Sequence, residues 1–120
     1  MSKTKETSTN FANKKALARE CPELYASQII GGQWSLAICC YLIFGKLRFG
    51  ELKKCIPNIT ERMLTLQLRK LEANNIITRT VYAEVPPRVE YELTQVGYEL
   101  KPIIEALATW GERHKALQES

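Results

Sequence analysis

A chain of 120 residues, 45% of them hydrophobic, is long enough to bury one core and leaves little room for a second. With a formal charge of +4, no aspartate and His114 as its only histidine, it carries no nucleophile–base pair and no phosphate-binding loop, so neither catalytic residues nor a cofactor are expected. The cysteines Cys21, Cys39, Cys40 and Cys55 lack paired C-x-x-C spacing, which speaks against a zinc centre.

Residues 1–13 are polar and patternless and read as a flexible tail, with a folded domain expected over 14–120; KKALARE at 14–20 consists of good helix formers. The N-terminus lacks the apolar segment of a signal peptide. The longest apolar run, Leu36 to Phe44, is too short to span a bilayer. The expectation is therefore a cytoplasmic protein with no membrane partner. In such a compartment a disulfide framework is not expected either.

Pro22 suits a first helical position, and Tyr25, Ile29 and Ile30 give apolar spacing up to the stop at Gly31-Gly32. A second helix is predicted from about Trp34 to Phe44 and ended by Gly45. It is apolar on nearly every face, which implies burial on most sides, with Trp34 as a core or interface anchor and Cys39 and Cys40 as small core residues.

Next comes RFGELKKCIPNITERMLTLQLRKLE, Arg48 to Glu72. Phe49, Leu52 and Ile56 form one apolar stripe, the Pro57-Asn58 pair breaks it, and Thr60 offers a hydroxyl cap for a second helix. In that second helix Leu64, Leu68 and Leu71 recur at helical spacing, with Ile59 ahead of the cap able to pack beneath them. Helix, short turn and capped helix stand in the order of a helix-turn-helix.

The opposite face of the second helix carries Arg62, Leu66 and Arg69, flanked by Thr65 and Lys70. Such a face suits DNA: arginine donates two parallel bonds to guanine, threonine bonds a base or phosphate, and methyl groups touch thymine. Arg62, Thr65, Leu66 and Arg69 are the candidate base readers, Lys53 and Lys54 of the preceding helix the candidate phosphate contacts, and Thr60, Lys70 and Arg48 further candidate DNA-binding residues. From Lys46 to Arg79 there are eight Lys or Arg and three Glu, net +5, whereas Thr80 to Glu105 is net −3, so positive charge gathers where a phosphate backbone would lie.

Asn74-Asn75 tolerates a left-handed helix end. Alternation over Ile76 to Tyr82 and Val89 to Leu93 predicts two half-buried strands, with Ile77, Arg79 and Val81 on one face and Thr78, Thr80 and Tyr82 on the other. Pro86-Pro87 cannot sit inside a ladder and marks the tip of a projecting hairpin. Arg88, beside the tip, either reaches a phosphate or the minor groove, or pairs with Glu84 or Glu90. Thr94 reads as a cap for a helix over 95–114, in which Pro102 makes a kink or a break. Leu100, Ile103, Ile104, Leu107, Trp110 and His114 lie on one side of it. The stripe either packs on the helix at 34–44 or forms a dimer surface, for which Tyr25, Ile103, Leu107 and Trp110 are the candidate contacts.

In CPELYASQIIGGQW at Cys21 to Trp34, in the Arg48 to Glu72 segment, and in VPPRVEYELTQVG at Val85 to Gly97 followed by Trp110-Gly111, the chain resembles the HxlR-type winged helix-turn-helix regulators of bacterial transcription. The resemblance implies a mainly α fold with a small β-hairpin (α+β), dimeric through its terminal helices. It also implies a homodimer on double-stranded DNA, with half-sites of a pseudo-palindromic operator about one helical turn, roughly 34 Å, apart. Recognition would fall to Thr60 to Ala73 and the wing to Tyr82 to Tyr91. A cysteine in the position of Cys21 senses oxidants or electrophiles in several members, which makes Cys21 the candidate redox-sensing residue. The resemblance names no small-molecule effector. The rival reading from another class is a protein-interaction module on a winged-helix scaffold, without specific DNA binding.

Overall fold

A computed structural model describes residues 21–120; the expected tail at 1–13 and the arm at 14–20 lie outside the described residues. The chain divides into two compact units, one ending at Gly32 and one spanning Gln33–Ser120.

In the first unit, helix α1 (Pro22–Ile30) starts with its proline in the first turn, where a missing N–H costs nothing. It stops at Gly31, whose N–H bonds the Ser27 carbonyl at 2.7 Å.

The second unit opens with α2 (Gln33–Leu42), followed by a two-residue strand β1 (Leu47–Arg48), α3 (Phe49–Cys55), α4 (Glu61–Ala73), β2 (Ile77–Tyr82), β3 (Arg88–Leu93), a short α5 (Gln95–Tyr98) and α6 (Lys101–Glu119). The core joins Ile38, Cys39 and Leu42 of α2, Leu52 of α3 and Leu64, Leu68 and Leu71 of α4 to Ile77, Tyr91 and Leu93 of the sheet. The sheet is antiparallel in the order β1-β3-β2, with Leu47 opposite Tyr91 and Arg79 also opposite Tyr91 from the other side.

Four expectations are corrected or resolved. First, α2 buries a single stripe, Ser35, Ile38, Cys39 and Leu42, and not most of its sides; it ends at Leu42, and Phe44 in the following turn is 89% exposed. Trp34 is half-buried. Second, Arg48, expected in the helix before the turn, lies in the two-residue strand β1 and that helix begins at Phe49; two residues carry no periodicity, and β1 exists only through its pairing with β3. Third, the alternation along β2 does not map onto burial: Ile77 is buried but Val81 is 53% exposed, because the hairpin runs out beyond the helices that would cover it. Fourth, of the two outcomes open at Pro102 the break is observed: α5 ends at Tyr98, Pro102 occupies the first turn of a separate helix, and that helix continues past residue 114 to Glu119.

Cys39 is the core's one buried thiol among the described residues. Burial, with Cys40 alongside, pushes its pKa up to about 11 from an ordinary 9.0, and burial also raises that of Cys40. The neutral Cys39 thiol therefore contributes stability that is fully present below the unfolded value and is lost as pH rises from about 9 toward 11, while the unfolded chain ionises first. Compared with a Cys39→Ala variant, the wild-type chain should lose on the order of 2 kcal/mol across that window, measured as the difference in urea unfolding between the two proteins. Parallel curves for the two proteins would refute it.

Candidate nucleic-acid interface

The interface is built on α4. Asn58 takes a positive φ of 67°, which turns the chain sharply after α3. Thr60 then caps the helix, its Oγ1 accepting from the Met63 N–H at 3.0 Å. Asn75, at φ 60°, ends the connection to the sheet as the sequence suggested.

Leu64, Leu68 and Leu71 point into the core, with Ile59 buried beneath the first turn. That fixes the rotation of the helix and leaves Arg62, Leu66, Arg69 and Lys70 exposed and Thr65 half-exposed on the other side. Leu66 is 57% exposed, an apolar side chain held in water on an otherwise polar face. Glu61, Arg62, Thr65, Leu66 and Arg69 line one open cleft on this face.

A polar contact ties α4 to α2: the buried Ser35 hydroxyl donates to Gln67 Oε1 at 2.9 Å. It satisfies a hydroxyl that would otherwise be costly to bury.

Helix α3 sets its N-terminus through the Arg48 N–H, which donates to Glu51 Oε1 at 2.8 Å. Arg48 and Lys54 are exposed and Lys53 is half-exposed. A second cleft separates the start of α3 from the wing tip, lined by Arg48, Phe49, Gly50 and residues 84–89.

Arg88 is engaged within the chain. Its guanidinium lies 3.3 Å from Glu84 and 3.6 Å from Glu90, and sits 4.1 Å over the Tyr82 ring. Lys46 also reaches Glu90, at 3.5 Å. Of the two roles open to Arg88 from the sequence, the pairing with both Glu84 and Glu90 is present in the free chain.

The remaining candidates lie elsewhere. Cys21 stands at the N-cap of α1 and its thiol donates to Glu23 Oε2 at 3.0 Å. Tyr25 is exposed on the same helix. Ile103, Leu107 and Trp110 are exposed on α6, and no residue of α6 is buried. Trp110 stacks on His114, ring centroids 5.1 Å apart. Sequence reasoning did not single out Arg79, whose exposed guanidinium flanks α4 from the sheet side; its place in an alternating strand carried no sign of that neighbour.

Among the described residues no helix is long and apolar enough to cross a membrane. A three-helix unit with a capped, core-anchored α4 and a two-stranded wing is matched by known proteins. The HxlR-like helix-turn-helix family model matches residues 29–119. A protein of Bacillus subtilis (strain 168) named as an HTH-type transcriptional regulator, YtcD, is 52% identical over 87 residues, covering 72% of this chain and 69% of YtcD.

Among solved structures, the redox regulator HypR in its reduced form superimposes with a TM-score of 0.78 at 46% identity, over 82% of this chain and 97% of that one. The reduced transcriptional regulator YodB of B. subtilis gives 0.69 at 33% identity, over 78% and 93%. These relatives are regulators of transcription and not enzymes, and residues 29–119 matched by the family model take in the helix-turn-helix and the wing described above. The chain belongs to the HxlR-like helix-turn-helix family and is a DNA-binding transcription regulator.

Proposed function

We propose that the protein acts as a homodimer in the cytoplasm, each protomer laying α4 in the major groove of one half of a pseudo-palindromic operator. The observation that carries this reading is the division of α4: one face is spent on the core, and the other holds Arg62, Thr65, Leu66 and Arg69 free of acidic partners among the described residues. Arg62 and Arg69 read guanines, Thr65 and Leu66 contact bases or thymine methyls, and Thr60, Lys70, Arg48, Lys53 and Lys54 meet the backbone. Arg88 shapes the wing in this reading, and reaches DNA directly only by leaving Glu84.

The second protomer is suggested by α6. Ile103, Leu107, Trp110, His114 and Leu117 recur at alternating steps of four and three, the seam of a helix pair, and every one of them is exposed in the single chain. Tyr25 adds an exposed aromatic on α1.

Footprinting on DNA upstream of the protein's own gene and of an adjacent divergent gene should show two protected half-sites about one helical turn apart. Arg62→Ala and Arg69→Ala should each relax discrimination at particular base pairs by about 1–3 kcal/mol. Lys53→Ala and Lys54→Ala should weaken operator and random DNA alike. If the two classes of variant lose affinity in the same pattern, the assignment of readers is wrong.

The likeness to HypR and YodB, whose structures are named by redox state, supports a second property, a response to oxidants through Cys21. Protection that disappears on treatment with a mild thiol oxidant in the wild type but persists in Cys21→Ser would support it; equal loss in both would assign the response elsewhere.

A further inference from the structure

The basic residues of the wing are not equivalent. Arg88, at the tip, faces two carboxylates and the Tyr82 ring. Arg79, nearer the base of the wing on β2, makes no ion pair among the described residues. It lies opposite Tyr91 in the ladder, and Tyr91, itself buried, lines a cleft shared with α4. A cleft of about 260 Å³ opens there, with Thr65, Leu68, Arg69 and Glu72 contributed by the helix and Arg79 and Tyr91 by the sheet.

Thr65 and Arg69 also line the reader-face cleft, so they form the ridge between the two. One side of that ridge is the face assigned to base edges. A helix seated in a groove about 12 Å wide has a phosphate strand along each flank. The flank beside Arg69 is where Arg79 stands. The cleft holds two guanidinium groups against one carboxylate, a net positive site with fork-shaped donors suited to phosphate oxygens.

We propose that this cleft holds a backbone phosphate of the strand bordering the groove, and that Arg79 is its principal ligand. The inference rests on reading α4 as the recognition helix. Arg79 then contributes affinity without sequence preference, and Glu72, which shares the cleft, opposes phosphate entry.

The test is fluorescence anisotropy of the full chain on operator and random duplexes over a range of KCl concentrations, with Arg79→Gln, Arg79→Lys and Glu72→Gln. Arg79→Gln should lower the salt slope by about 0.9 and weaken both duplexes roughly eightfold near 0.1 M salt. Arg79→Lys should keep the slope, and Glu72→Gln should tighten both duplexes. An unchanged slope in Arg79→Gln, or a loss confined to the operator, would overturn the assignment while leaving the reading of α4 intact. Wild-type protein that shows no salt-dependent binding to either duplex would instead overturn the recognition-helix reading itself, before any variant is made.

Discussion

Replacing Gly97 by alanine should destabilise the protein by roughly 3 kcal/mol, a large share of the stability of a domain this size. Gly97 lies in α5 against the turn that follows α4. A Cβ there would stand 2.3 Å from the Ile76 carbonyl oxygen and 3.1–3.2 Å from the Leu93 side chain. The first neighbour is backbone and cannot swing aside. The Ile76 oxygen is already committed, accepting from the Thr94 N–H at 2.9 Å, and the Thr94 hydroxyl donates to the Asn75 carbonyl at 2.7 Å while accepting from the Gly97 N–H at 3.0 Å.

Making room therefore means breaking the joint between the end of α4 and the end of β3, where Leu93 is buried. Urea unfolding measures the effect, and operator affinity should fall with it because α4 loses its C-terminal anchor. Gly50→Ala is the control: nothing lies within 4 Å of a Cβ at Gly50, which sits in the helix α3, so alanine there should stabilise by up to about 1 kcal/mol. Were Gly97→Ala to unfold at the wild-type urea concentration, the close approach at Ile76 would be without consequence.

The double substitution Leu107→Glu, Trp110→Glu should yield a monomer and lower affinity for a two-half-site operator at least a hundredfold, since binding through two linked contacts exceeds either alone by about 10²–10⁴. Neither side chain is buried in the single chain, so the protomer's own core is untouched and the monomer should melt as a folded protein. In the proposed homodimer, acidic groups at these two positions would set like charges against each other across the twofold axis, where each substitution counts twice. Affinity for a single half-site should change little. Sedimentation gives the mass and anisotropy the affinity. A variant that remains dimeric would move the interface away from α6, and a monomer with full operator affinity would remove the dimer from the binding mechanism.

Much of the interface was legible in the linear sequence because it depends on neighbours in the chain. The Thr60 cap, the positive-φ asparagine ending the α4 connection, the leucine stripe of α4 and the exposed basic face opposite it all follow from spacings of one to four residues, which helix geometry converts directly into faces. The Thr94 cap and the proline-marked wing tip are equally local. The motif order that pointed to the family is built from the same segments.

What only the tertiary structure decided involves partners far apart in sequence. Leu47 and Arg48 are a strand because Tyr91 and Glu90 lie opposite them. Val81 and Phe44 stay in water although their hydrophobicity argues for burial, because no element among the described residues covers them. Arg88 could have been a free cation or a paired one by sequence, and the sheet register that brings Glu90 and Tyr82 to its side chain chose the pair. Arg79 acquired its place beside Arg69 in the same way, through β2 lying along α4. Periodicity reports which face of an element is apolar; which elements meet, and so which charges are neutralised and which remain unpaired among the described residues, is set by packing.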